Sequence, residues 1–275
     1  MLDAGFESPK VKSEQSKKQF LREFVTISEM IGVSDCVRLV VPNLINAFNS
    51  DYYVHHDIYE NYANMIFEGL HSLLRYLGRE GRKKWDFPLQ QVVDQGSDCS
   101  SEITDELSEL ESRNTGYLGV HLIFDEILFQ FFQPERYRES LREEIMPKAI
   151  ELLADIAAVF SSSDREYKII PLILDCMNDE ENESRRLASI KLLDSTVKIL
   201  GADAVKENII YDYVQMQDDP IHEIRKELIL KMLQISELLG QQIFVGVMLP
   251  VYRKLAVDPI WSVRKACVEI LPGIQ

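Results

Sequence analysis

Few residues in this chain have a type and spacing that could do covalent or metal chemistry. His55 and His56 are adjacent, so on a helix their side chains diverge by about 100° and cannot share an ion as an i, i+4 pair does. With Tyr52, Tyr53 and Tyr59 close by, they read as ordinary surface and groove residues. One His-Glu dipeptide, His222-Glu223, sits in the stretch DDPIHEIR and reads as part of a capping segment. Cys36, Cys99, Cys176 and Cys267 are scattered singly with no CxxC pair, which fits reduced thiols better than a disulfide framework or a zinc site. The sequence has no Gly-rich phosphate loop, no GxSxG and no HExxH, so nucleotide transfer, serine hydrolysis and zincin chemistry lack their parts. The expectation is a non-enzyme with no catalytic residue, no metal ligand and no cofactor.

What recurs is charge at a fixed interval. Arg185, Arg225 and Arg264 lie 40 and 39 residues apart, inside DCMNDEENESRRLASIKLL, VQMQDDPIHEIRKELILKML and KLAVDPIWSVRKACVEIL. Fourteen residues before each arginine stand Pro171, Tyr211 and Pro250, each within an apolar segment, and Gly201 and Gly240 follow at the same 39-residue interval. Ile224, Leu228, Met232 and Ile235 match Val263, Cys267, Leu271 and Ile274, a 4-4-3 spacing that makes one helical stripe. Each unit therefore reads as helix, acidic turn, helix, with a glycine closing the second helix.

The bulk properties agree with a protein-binding array. Asp and Glu outnumber Lys and Arg by 45 to 30, giving a net charge of −15 and a pI near 4.8, which argues against nucleic acid and anionic membranes as partners. Apolar residues make up 46% of 275 residues, enough for a continuous core. The polar start MLDAGFESPK and the lack of any long apolar run point to the cytosol or nucleus.

This pattern resembles the HEAT repeat, whose first helix often carries a proline and whose second opens on an Asp-turn-Val-Arg motif. The resemblance implies an all-α, right-handed solenoid of antiparallel helix pairs, regular over 165–275. Upstream, VRLVVPNLINAFNSDYYVHHDIYENYANMIFEGLHSLLRYLG (37–78) carries Pro42, the turn NSD and a helix ending at Gly78, but no Val-Arg pair, and reads as a degenerate repeat. One more helix is expected over 13–32, closed by Gly32, and one or two over 115–160, where Pro147 breaks the period. Residues 1–93 thus read as degenerate HEAT-like helices, 94–114 as an acidic insertion and 115–275 as the array. Within QGSDCSSEITDELSELESRN (95–114) six acidic residues precede Arg113, the first basic one. That composition predicts a mobile solvated loop, the alternative being an acidic segment that docks on a basic partner or takes phosphate on Ser100, Ser101 or Ser108. The five basic residues of RYLGREGRKKW (75–85) could face that loop or an acidic partner.

Within the HEAT class, LAVDPIWSVRKACVEI resembles the regulators of the protein phosphatase 2A and 4 family, most of all the branch of phosphatase 4 regulatory subunit 1, through its Asp-Pro-x-Trp-x-Val-Arg-Lys-Ala-Cys turn. The resemblance implies a non-catalytic regulatory or scaffold subunit that holds a phosphatase catalytic subunit on its ridge of turns. Carried over by position, that ridge is 179–183, 218–221 and 258–261, and the partner-binding candidates are Asp218, Asp219, Pro220, Asp258, Pro259 and Trp261. Two roles are open to Asp179, Asp218 or Asp219, and Asp258: contact with a partner, or capping of the second helix. Arg185, Arg225 and Arg264, with Asp179, are expected to form an internal ladder, because a periodic residue is explained by a periodic structure. Trp261 has no aromatic counterpart at 221 or 222, so stacking does not require it; it is expected about two residues before the helix and at least partly exposed.

Two other classes share the architecture. A HEAT-repeat transport adaptor of the importin type, holding basic cargo, suits the same charge. Deoxyhypusine hydroxylase is similar in architecture, but its two irons need several His-Glu dipeptides, whereas only His222-Glu223 occurs here. By the period, the last helix should reach a capping glycine near 279, so the chain reads as part of a longer array whose C-terminal pair frays first.

Overall fold

The computed structural model describes residues 9–49, 58–81, 115–133 and 139–273. Among them there is no strand, and they are almost entirely helical. The acidic insertion, His55, His56 and Cys99 lie outside the described residues. Two compact units emerge, Met1–Phe131 with Arg136–Lys148, and Phe132–Glu135 with Ala149–Gln275. The division between them falls within residues 131–149.

The first unit is built on α1 (Pro9–Ile31), α2 (33–49), α3 (Ile58–Gly81) and α4 (115–132). Helix α1 stops at Gly32, the expected closing glycine, whose φ is 84°. Helix α3 instead runs through Gly78 to Gly81. Gly78 is buried, and tertiary packing of a helical face outweighs the weak local preference of one glycine to stop a helix. Packing of α1 on α3 needs a residue without a side chain at Gly69, where a Cβ would come within 2.2 Å of the Phe24 ring. Phe48, Phe67 and Phe131 form a chain of edge-to-face contacts with centroids 6.0 and 5.3 Å apart.

Prolines shape three of the helices. Pro42, Pro171 and Pro250 each follow a wide turn with i→i+5 hydrogen bonding, at Cys36–Val40, Arg165–Ile169 and Phe244–Met248. A proline ring clashes with the carbonyl four residues before it and offers no N–H, and widening the preceding turn relieves both problems without ending the helix. A fourth wide turn, Phe124–Leu128, is followed by Phe129 and Gln130 rather than by a proline.

The second unit takes in the end of α5 (Glu139–Val159) and three helix pairs: α6 (162–177) with α7 (Glu183–Leu200), α8 (202–215) with α9 (His222–Leu239), and α10 (241–255) with α11 (Trp261–Ile270). The second helices lie side by side, α7 on α9 and α9 on α11. Single glycines join successive pairs. Gly201 (φ 88°, ψ 162°) donates to the carbonyl of Val197 and accepts from the N–H of Val205; Gly240 (φ 85°, ψ 168°) does the same between Ser236 and Phe244. That backbone region belongs almost solely to glycine, so one residue ends one helix and starts the next. The expected stripe Ile224, Leu228, Met232 and Ile235 is buried, as are Val263 and Cys267. Leu271 departs from it: the helix gives way at Ile270 to a tight turn over Leu271–Gly273, forced by Pro272, and Leu271 is exposed.

Side chains tie the pairs together through main-chain carbonyls. Tyr213 donates to the carbonyl of Leu228 at 2.7 Å and Tyr252 to that of Cys267 at 3.2 Å, the same bond one period apart. Arg165 bridges two helix ends, donating to the carbonyls of Ala157 and Ile199 at 2.7 and 3.0 Å. A cation suits the negative end of each helix dipole.

Candidate protein-binding ridge

The turns between α6 and α7, α8 and α9, and α10 and α11 are built on one plan. In each, an aspartate accepts from the N–H two residues on: Asp179 from Glu181, Asp219 from Ile221 and Asp258 from Ile260. This local bond fixes the turn before the helix begins. The aspartates are therefore not the helix caps; that position falls to Asn182, Ile221 and Ile260. Only Asn182 caps with its side chain, accepting from the N–H of Arg185.

The ladder exists, in a different register from the expected one. Arg186, not Arg185, reaches the next pair, donating through Nε and Nη2 to the carboxylate of Asp219 at 2.7 and 3.3 Å. Arg225 repeats the contact on Asp258 at 2.8 and 3.1 Å. Each arginine also grips its own turn through Nη1: Arg186 on the carbonyls of Asp179 and Glu180, Arg225 on those of Asp219 and Pro220, Arg264 on those of Asp258 and Pro259. The equivalent arginines are thus 186, 225 and 264, spaced 39 and 39, and the first turn holds one residue more between aspartate and arginine. Arg225 holds the Asp258 carboxyl below the usual carboxylate range, and the same bond raises Arg225.

Arg185 fills another position. It stands where the sister pairs have Ile224 and Val263, yet it is almost fully buried, and its guanidinium pairs with Asp179 and, at 2.5 Å, with Asp175. Burial of Asp179 pushes its carboxyl up, but the bonds from Arg185, Asn182 and Glu181 outweigh that and lower it. The neighbouring Cys176 thiol is pushed up to about 11 by burial, and Cys267 likewise to about 11. Both are buried and free, with no partner thiol beside them among the described residues.

These contacts sort the partner-binding candidates. The carboxylates of Asp219 and Asp258 face inward and pair with Arg186 and Arg225. Asp218 points outward and pairs with Lys254. Pro220 and Pro259 are exposed on the turns. Trp261 is the first residue of α11 rather than a residue ahead of it, and 65% of it is exposed, with Lys265 above its ring at 5.6 Å from the centroid. Val257, 79% exposed, and Ile260 are further exposed apolar residues within four positions of it in the chain, and the sequence reading did not name Val257. Such residues carry no sequence signal, since a valine and an isoleucine beside a helix read as core. His222, the counterpart of Trp261 one period earlier, lies 2.9 Å from Glu223 at the start of α9. Among the described residues no group of three or more His, Cys, Asp or Glu is arranged to hold a metal ion, and no helix is long and apolar enough to cross a membrane.

No protein-family model matches the chain, and no curated protein matches it.

Proposed function

We propose that the helix pairs of 162–270 are HEAT-type repeats of a right-handed α-solenoid. The chain would then be a non-catalytic regulatory or scaffold subunit that binds the catalytic subunit of a serine/threonine protein phosphatase, of the phosphatase 4 or 2A type, in the cytosol or nucleus. The observation that carries the reading is the third turn. The Asp258 carboxylate is spent inside the fold, while Val257, Ile260 and Trp261, close in sequence, are each exposed. A large aromatic beside smaller apolar residues, rimmed by polar ones, is the composition of an interface hot spot. The resemblance of DPIWSVRKAC to the phosphatase regulators supports the choice of partner.

The test is a pull-down with the full chain against purified phosphatase 4 and 2A catalytic subunits, with a Ran-GTP column in parallel. Retention of a phosphatase subunit is the expected result. Retention on Ran-GTP alone would transfer the chain to the transport-adaptor class.

A further inference from the structure

The three turns of the second unit share one plan and differ in what they show to solvent. Counting back three from each ladder arginine aligns Glu183, His222 and Trp261, and the residue before each turn aspartate is Asn178, Asp218 or Val257. In the first turn Glu180, Glu181 and Glu183 are exposed, and none of the three makes an ion pair among the described residues. In the second, Asp218 pairs with Lys254, Pro220 is exposed and His222 partly so. In the third, the one carboxylate turns inward onto Arg225, and Val257, Pro259, Ile260 and Trp261 are all exposed. The ridge runs from acidic to apolar.

Exposure of these positions comes with the fold of the turn. Asn178, Glu183, Asp218 and Pro220 stay open although another helix pair follows each of them, so the stacking of further pairs does not cover this ridge. The bonds of Arg186 to Asp219 and of Arg225 to Asp258 hold the turns as successive neighbours, which puts the acidic and the apolar turn two steps apart. At roughly 10 Å for each step between packed helices, that is about 20 Å. Extended chain covers such a span in about six residues.

We propose that the ridge takes one extended, bipartite segment of a partner protein: a large apolar side chain on the Trp261 turn and Lys or Arg side chains on the first turn, about six residues away. The proposal rests on the reading of the ridge as the protein-binding surface and adds the chemistry that it selects. Unpaired carboxylates at 180, 181 and 183 attract basic side chains and repel acidic ones. The third turn presents an aromatic with no exposed acid, which suits an apolar anchor. Lys265, over the Trp261 ring, repels a basic side chain there, so the segment can seat on the ridge in one polarity only. A second copy of this chain is disfavoured as the occupant, since it brings a net charge of −15 to an acidic turn.

Two fluorescein-labelled synthetic peptides test it, each joining a Leu-Phe pair to Arg-Lys-Arg through about six Gly and Ser residues, with the two halves in opposite order. Titrated into the full chain at low salt and followed by anisotropy, at least one order should saturate. The triple variant Glu180→Gln, Glu181→Gln, Glu183→Gln and the single variant Trp261→Ala should each weaken binding about tenfold or more. Both should melt close to the wild type, because all four side chains are exposed. Peptides carrying one half alone should bind as weakly as the variants do. Flat titrations in both orders, or full affinity retained in either variant, would overturn the proposal. So would a full chain that sediments as a dimer and becomes monomeric with Trp261→Ala, which would make a second copy the occupant. Phosphatase retention that is indifferent to the triple variant counts against this proposal alone, whereas saturable peptide binding with no phosphatase retained counts against the phosphatase reading alone.

Discussion

Arg225 grips both oxygens of the Asp258 carboxylate at 2.8 and 3.1 Å while its third nitrogen holds the turn of its own pair, so one side chain locks two successive turns to each other. Both side chains are nearly buried, and removing either leaves the other a buried charge with no counter-ion. Arg225→Ala should cost about 3 kcal/mol in denaturant unfolding. Arg264→Ala, which loses only bonds within its own turn, should cost about 1 kcal/mol. Equal losses from the two would show that the link between pairs adds nothing.

Acid should open the same link. Asp258 and Asp179 are held below their usual value near 3.8, so between that value and their folded values the unfolded chain binds more protons than the folded one. Their contribution is fully present above about pH 4 and is lost as pH falls through the lowered values. Unfolding free energy measured from pH 6 to pH 2.5 should therefore fall at the acid end, and Asp258→Asn should flatten the part of that slope due to Arg225.

The glycine joints separate backbone cost from packing cost. A Cβ at Gly201 or Gly240 would touch nothing within 4 Å, so Gly201→Ala and Gly240→Ala should destabilise only through φ near 88° and 85°, by about 1 to 3 kcal/mol. Gly69→Ala should instead act through the Phe24 ring, and combining it with Phe24→Leu should recover part of its loss, whereas no partner substitution should rescue Gly201→Ala.

Burial raises Cys176 and Cys267 to about 11, so at pH 8 each carries on the order of 100-fold less thiolate than a free thiol with a pKa near 9. Iodoacetamide should modify them only as the surrounding helices open. Peptide mass spectrometry over a time course should find Cys267, on the last helix, modified before Cys176. The reverse order would place the weakest point of the unit elsewhere.

Much of the second unit was legible because its signals are local and periodic. Gly201 and Gly240 mark joints by their spacing, the stripe through Ile224 and Leu228 marks a buried face, and the lack of any counterpart to Trp261 marked it as free of the stacking. The ladder register was not legible. Arg185 and Arg186 are adjacent, the first turn is one residue longer than its sisters, and only a partner in space, Asp219, tells which arginine bridges. Nor could sequence show that Asp219 and Asp258 turn inward, since an aspartate beside a proline reads as a surface turn. Leu271 fits the apolar stripe by count, and Pro272 takes it off the helix. The wide turns ahead of Pro42, Pro171 and Pro250 arise from a clash that a residue pattern marks only as a proline.

The phosphatase reading stands or falls on Trp261. Isothermal titration of a purified phosphatase 4 or 2A catalytic subunit into the wild-type chain and Trp261→Ala, with thermal melts of both, tests it most directly. The expected result is saturable binding to the wild type, weakened about tenfold or more by the substitution, with little change in melting temperature because the side chain is 65% exposed. Unchanged binding per folded molecule together with a steep drop in the melt would make Trp261 a structural residue and contradict the reading.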